Sequence, residues 1–188
     1  MTDLIRAGDP VLFMKVGMHA QESLDDIIAR KQAEIDRMGF AMWGYGGPTC
    51  PPGRVRPYAV EQRDAGQVIR LVMEPVNSKH ARTPNRASHF SVDNKTWEAI
   101  PQGIDVLGSK YALCITNLRE TDQELPLGAT KVAIGPSRGK VGAAYVQGQI
   151  DKACLEVVSE VTEGKVASIR LEADIVDPWA VFLRTPEA

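Results

Sequence analysis

The side chains that bear most directly on chemistry in this 188-residue chain are its few cysteines, histidines, tryptophans and loop arginines. A thiol nucleophile needs a lowered pKa and a base within hydrogen-bond reach. Cys50 is the cysteine placed for that, in the loop Gly47-Pro48-Thr49-Cys50, whereas Cys114 and Cys154 lie in apolar runs that read as core. His19, His80 or His89 could act as its base, with Asp64 or Asp93 as orienter, in a hydrolase or transferase. Spacing alone does not bring any of them together.

Phosphate chemistry is suggested by Gly135-Pro136-Ser137-Arg138-Gly139-Lys140, which has the outline of a P-loop. It is one residue short between its glycines, and Val141 stands where a Mg²⁺-binding hydroxyl is required. What survives is a turn whose backbone N–H groups, beside Arg138 and Lys140, could hold one phosphate or sulfate. The same residues also suit a hairpin turn with solvated charges. Gly44-Tyr45-Gly46-Gly47 lacks the third glycine and following helix of a dinucleotide fingerprint. No CxxC, CxxH or HExxH spacing occurs, so the sequence implies neither a metal nor a cofactor.

Aromatic residues make up only 6% of the chain, and Trp43 and Tyr45 sit together where a strand runs into the glycines. Flanked by residues without side chains, their flat faces are candidates for stacking on a planar ligand. The other reading of Trp43 is that it packs beneath the long polar stretch at 77–94. Around the stacking pair, the amides of residues 44–47, including Gly46 and Gly47, could read polar edges. Lys15, Arg54, Arg56, Arg82 and Arg86 could supply charge to phosphate.

Elements must position these groups, and hydrophobic periodicity predicts them. Residues 11–16 read as a buried strand, and the following helix is capped by Ser23, buries Leu24, Ile27, Ile28, Ile35 and Met38 on one face, and stops at Gly39. Residues 40–43 read as a second strand, which completes a strand, helix, strand unit over 11–43. The segment 44–57 carries Gly44, Gly46, Gly47, Pro48, Pro51, Pro52, Gly53 and Pro57, and reads as a rigid loop. The stretch 77–94 reads as a second long loop. Strands are expected at 67–76, 103–107, 111–118, 131–134, 143–150, 153–161, 166–173 and 180–183. The expected fold is α+β: one domain over 1–188, with a small mixed or barrel-like sheet and one long amphipathic helix near the N-terminus.

Charge and composition narrow the class further. With 22 Lys+Arg against 24 Asp+Glu the chain is near neutral, which disfavours general binding to a phosphate backbone. The charge is uneven, however: 51–100 holds 8 basic and 5 acidic side chains, and 151–188 holds 4 and 8. No apolar run approaches a membrane span, and Asp3, Arg6 and Asp9 occupy the place where a signal peptide needs its apolar core. A cytoplasmic protein with unpaired cysteines is expected.

The run Phe13-Met14-Lys15, an acidic capped helix with Ser23, Asp25, Asp26 and Ile27, and a strand ending in Trp43 together resemble the opening of PUA-like domains of the EVE and YTH type. The resemblance covers residues 11–45. It implies a small β-barrel with flanking helices, and a pocket that receives a base, often modified, flipped from a nucleic-acid strand and held against aromatic rings. On this resemblance Trp43 matches the pocket tryptophan, and Met14 and Lys15 match a Met-Lys pair on the adjacent strand. Val16 stands where YTH-type domains carry a serine. The expectation is therefore a non-catalytic module for a nucleobase, nucleotide or nucleic acid, with a Cys50-dependent enzyme using His80 or His89 as the alternative.

Overall fold

The computed structural model describes residues 4–18, 22–79 and 85–186. In chain order the elements are β1 (Pro10–Met18), α1 (Leu24–Met38), β2 (Ala41–Tyr45), α2 (Pro52–Asp64), β3 (Arg70–Lys79), β4 (His89–Ser91), β5 (Glu98–Ala99) and β6 (Tyr111–Pro126). A 3-10 turn at Leu127–Ala129 leads to β7 (Thr130–Val132), α3 (Gly142–Tyr145), β8 (Lys152–Val157) and β9 (Val166–Arg184). One mixed sheet runs in the order β2-β6-β9-β3-β1-β8-β7, with β4 and β5 attached to the far end of β9. Only β1 and β3 pair in parallel among the described strands, and their crossover contains α1, β2 and α2. The architecture is α+β, dominated by the mixed sheet.

β1 is buried on both faces, which is why its sequence is a continuous apolar run rather than an alternating one. Leu12, Met14 and Val16 join the main core under α1 and α2, while Val11 and Phe13 enter a second cluster with Val72, Leu125, Leu127, Leu155 and Ile169. A third cluster gathers Met42, Ala112, Cys114 and Val181 beneath Ile104 and Val106. In α1 the Ser23 hydroxyl accepts the Asp26 N–H at 3.1 Å, and Gly39 adopts φ 84° to close the C-terminus on Ile35 O. Ile28 is buried, with Leu24, Ile27 and Ile35 packed on the same core, but Met38 is 38% exposed and falls off the stripe.

Several sequence expectations change in the structure. The loop at 44–57 ends early because α2 starts at Pro52: proline fits the first helical turn, and Pro52, Val55, Tyr58 and Ala59 make a buried stripe. The stretch at 77–94 is partly strand, since β3 runs on to Lys79 and β4 occupies His89–Ser91. Residues 103–107 form no strand of the sheet because both backbone groups of Asp105 are engaged elsewhere. Its carbonyl accepts from Lys31, and its N–H donates to Glu34 at 3.2 Å. Residues 143–150 hold the short α3 rather than a strand, and the strand at 153–161 stops at Val157. The two terminal strands are one, β9, whose ladder with β6 shifts register around Asp177-Pro178 and Trp179.

Candidate anion site at the start of the second helix

β2 delivers Trp43 and Tyr45 to the inner face, opposite Leu113 and Tyr111 of β6. Both are core residues, 6% and 5% exposed, in the cluster that also holds Leu12, Val55 and Ile115. The Tyr45 hydroxyl donates to Cys50 O at 2.6 Å, its ring lies 5.4 Å from that of Tyr111, and burial pushes its pKa far up. The glycine between them does not leave the aromatics open. A Cβ at Gly44 would collide with Ser109 and touch Val106, so the glycine is there to admit a segment on the opposite face of β2.

The Met-Lys pair also sits differently from its expected place. β1 lies between β3 and β8, while β2 pairs with β6, so the strands bearing Met14 and Trp43 are not adjacent. The cause is the parallel β1/β3 pairing, which leaves β2 at the far edge. Met14 shares the core with Trp43, and Lys15, next along the strand, turns to the other face, where Glu74 is its register partner.

What the fold does bring together is the segment before α2, the start of α2 and the turn at 135–140. α2 begins with Pro51 in the capping position, no side-chain cap and no acidic residue in its first turn, so the positive end of its dipole is uncompensated. Arg54 projects from that first turn onto the 135–140 turn, where a Cβ on Gly135 would lie 3.1 Å from its Nη1. Arg138 on the same turn is close enough to Tyr58 of α2 to lower its pKa against the stronger effect of burial. Lys152, at the head of β8, is buried, binds Asp151 at 2.7 Å and approaches Gly47, where a Cβ would be 3.4 Å from Nζ. Gly46 and Gly47 border the group, and Tyr145 of α3 is half-buried within electrostatic reach of Arg54 and Cys50.

The turn contributes side chains rather than backbone. The N–H groups of Arg138, Gly139 and Lys140 donate to Gly135 O, Val132 O and Ser137 O, which leaves none of the three for a phosphate. Arg138 and Lys140 remain exposed. Lys152 and Tyr145 are the members that reading the sequence missed. Lys152 begins a strand that is otherwise apolar up to Leu155, a position where an unexplained charge is itself a signal.

Cys50 is fully buried, and Cys154 of β8 is 1% exposed beside it. The neighbouring Cys154 and the nearby Lys152 charge draw the Cys50 thiol down against burial, while the Cys154 thiol is pushed well up. Cys114 lies apart, in the third cluster, with burial raising it to about 12. His89 does not serve Cys50: it sits on β4, paired with β5 and the end of β9, and its Nδ1 shares a hydrogen bond with Ser88 Oγ at 2.8 Å. Arg86 is paired with Asp105. His19, His80 and Arg82 lie outside the described residues. No group of three metal-ligating side chains occurs among the described residues, and no helix among them is long and apolar enough to cross a membrane. Comparison with family models, with curated proteins and with solved structures gave no match.

Proposed function

We propose that the chain is a non-catalytic binding module for a nucleotide or nucleic acid, which it holds by phosphate at the start of α2. The observation that carries this reading is Arg54 in the first turn of an uncapped helix start that has no acid there, with Arg138 on the turn that Arg54 packs against and Lys152 beside Gly47 in the preceding segment. Such an end attracts anions through its dipole, and arginine adds a planar fork suited to phosphate oxygens. Lys140, on the same turn, extends the positive surface along which a nucleic-acid backbone would run.

With the ring faces of Trp43 and Tyr45 taken up by the core, the base contact falls to Tyr145, beside Arg54. The PUA-like barrel belongs to the same proposal. Its support is that β6, β9, β3, β1, β8 and β7 send side chains into a single apolar cluster that also holds Leu127. The three free thiols support placement in the cytoplasm.

Titration calorimetry with adenosine and guanosine nucleotides and a short single-stranded oligonucleotide tests the reading. Arg54→Ala is expected to weaken binding by about ten- to 150-fold, the loss of one charge-assisted hydrogen bond worth roughly 1.5–3 kcal/mol. Absence of binding by the native protein to every one of these ligands would end the proposal.

A further inference from the structure

The segment before α2 and the head of β8 are tied side by side. Thr49 Oγ1 donates to Lys152 O at 2.8 Å, and the Tyr45 hydroxyl anchors the next carbonyl along, Cys50 O, at 2.6 Å. Cys154, two residues after Lys152, has its own carbonyl fixed by the Ala133 N–H at 2.9 Å. These anchors place Cys50 and Cys154 in one apolar cluster, near enough for the Cys154 thiol to act on the Cys50 thiol. We propose that Cys50 and Cys154 form a reversible dithiol–disulfide pair, a covalent modification site that pins the segment before α2 to β8.

The roles of the two sulfurs differ. Cys50 lies outside any regular element, next to the positive end of α2 and near Lys152, surroundings that favour a thiolate; Cys154 is held on a strand in apolar surroundings. A peroxide is the oxidant that such a buried pair admits, because it is small. The Cys50 thiolate attacks one peroxide oxygen, the O–O bond breaks, and one water leaves after protonation, giving a sulfenic acid at Cys50. The Cys154 sulfur then attacks the Cys50 sulfur, the S–O bond breaks, and the second water leaves. Two thiols and one peroxide thus give one disulfide and two waters, with two electrons passing to the peroxide. A dithiol reductant reverses the step by exchange through a mixed disulfide. The pairing stands independently of the ligand assigned to the neighbouring anion site.

Intact-mass spectrometry of the native protein tests it. After exposure to hydrogen peroxide the protein is unfolded in N-ethylmaleimide, so that every free thiol is labelled. The untreated chain takes up three labels, one per cysteine. The oxidised chain is expected to take up one, to yield a linked peptide pair containing Cys50 and Cys154, and to return to three labels after dithiothreitol. Cys114→Ser should fall from two labels to none; if that variant does not fold, the peptide map of the native protein decides alone. Retention of three labels across the peroxide series, loss of label as sulfinic or sulfonic acid, or a linkage that includes Cys114 would each overturn the pairing.

Discussion

Tryptophan 43 shows how much a flanking glycine can mislead. In the sequence, the neighbours of Trp43 are too small to cover it; in the fold, Gly44 is small because Ser109 and Val106 press against the other face of β2. Trp43→Ala is therefore expected to behave as a core truncation and cost about 3–5 kcal/mol of folding stability in a denaturant titration. Asp93 is the second residue whose environment fixes its behaviour. Its carboxylate accepts the N–H groups of Thr96 and Lys95 at 2.8 Å and the Ser91 hydroxyl at 3.0 Å. The Thr96 N–H bond leads these in holding its pKa at about 2, below the ordinary 3.8. Because the folded value is depressed, the stabilisation is present above the unfolded pKa and is lost as pH falls from about 4 towards about 2. The Thr96 amide resonance should titrate near that lower value, and a midpoint at the ordinary aspartate pKa would contradict the turn as described.

Among the elements, α1 carries a device that periodicity does not reveal. Lys31 and Glu34 are both buried, 3.0 Å apart, and together they take the backbone C=O and N–H of Asp105. Burial lowers the Lys31 pKa, with Glu34 opposing it, so removing Glu34 would strand a buried ammonium and release the strap over Ile104 and Val106. Glu34→Ala is expected to cost about 3–5 kcal/mol, read by thermal unfolding, with Glu34→Gln milder. Caps and apolar runs were legible in the sequence: Ser23, Gly39 and the continuous run of β1 each have a local physical signature. The segment at 103–107 was not, since its apolar alternation matches a strand while both backbone groups of Asp105 at its centre go to side chains of α1, far off in sequence. α2 was hidden by Pro51, Pro52 and Pro57, which read as loop unless the first two are recognised as a helix start.

At the scale of the whole molecule, topology assembles the candidate site. The parallel β1/β3 pairing turns α2 back across the sheet, and β8, antiparallel to β1, brings Lys152 and Cys154 to the segment before that helix. Arg54, Arg138 and Lys140 could each be named from the sequence, but their meeting depends on non-local pairing that no single segment encodes. Lys152 and Tyr145 were missed for the same reason. The net charge of −2 makes the basic group a local feature on a near-neutral chain, so binding should be confined to one place and be sensitive to salt.

The most direct measurement is the salt dependence of binding to a fluorescein-labelled single-stranded oligonucleotide, compared between the native protein and an Arg54→Ala/Arg138→Ala variant. Each phosphate contact to a single strand contributes about 0.7 to the slope of log affinity against log salt. The account predicts measurable binding by the native protein and a slope shallower by about 1.4 in the variant, together with weaker affinity at every salt concentration. Equal slopes and equal affinities in the two proteins, both folded, would place any binding elsewhere on the molecule and contradict the assignment of the start of α2 as the phosphate site.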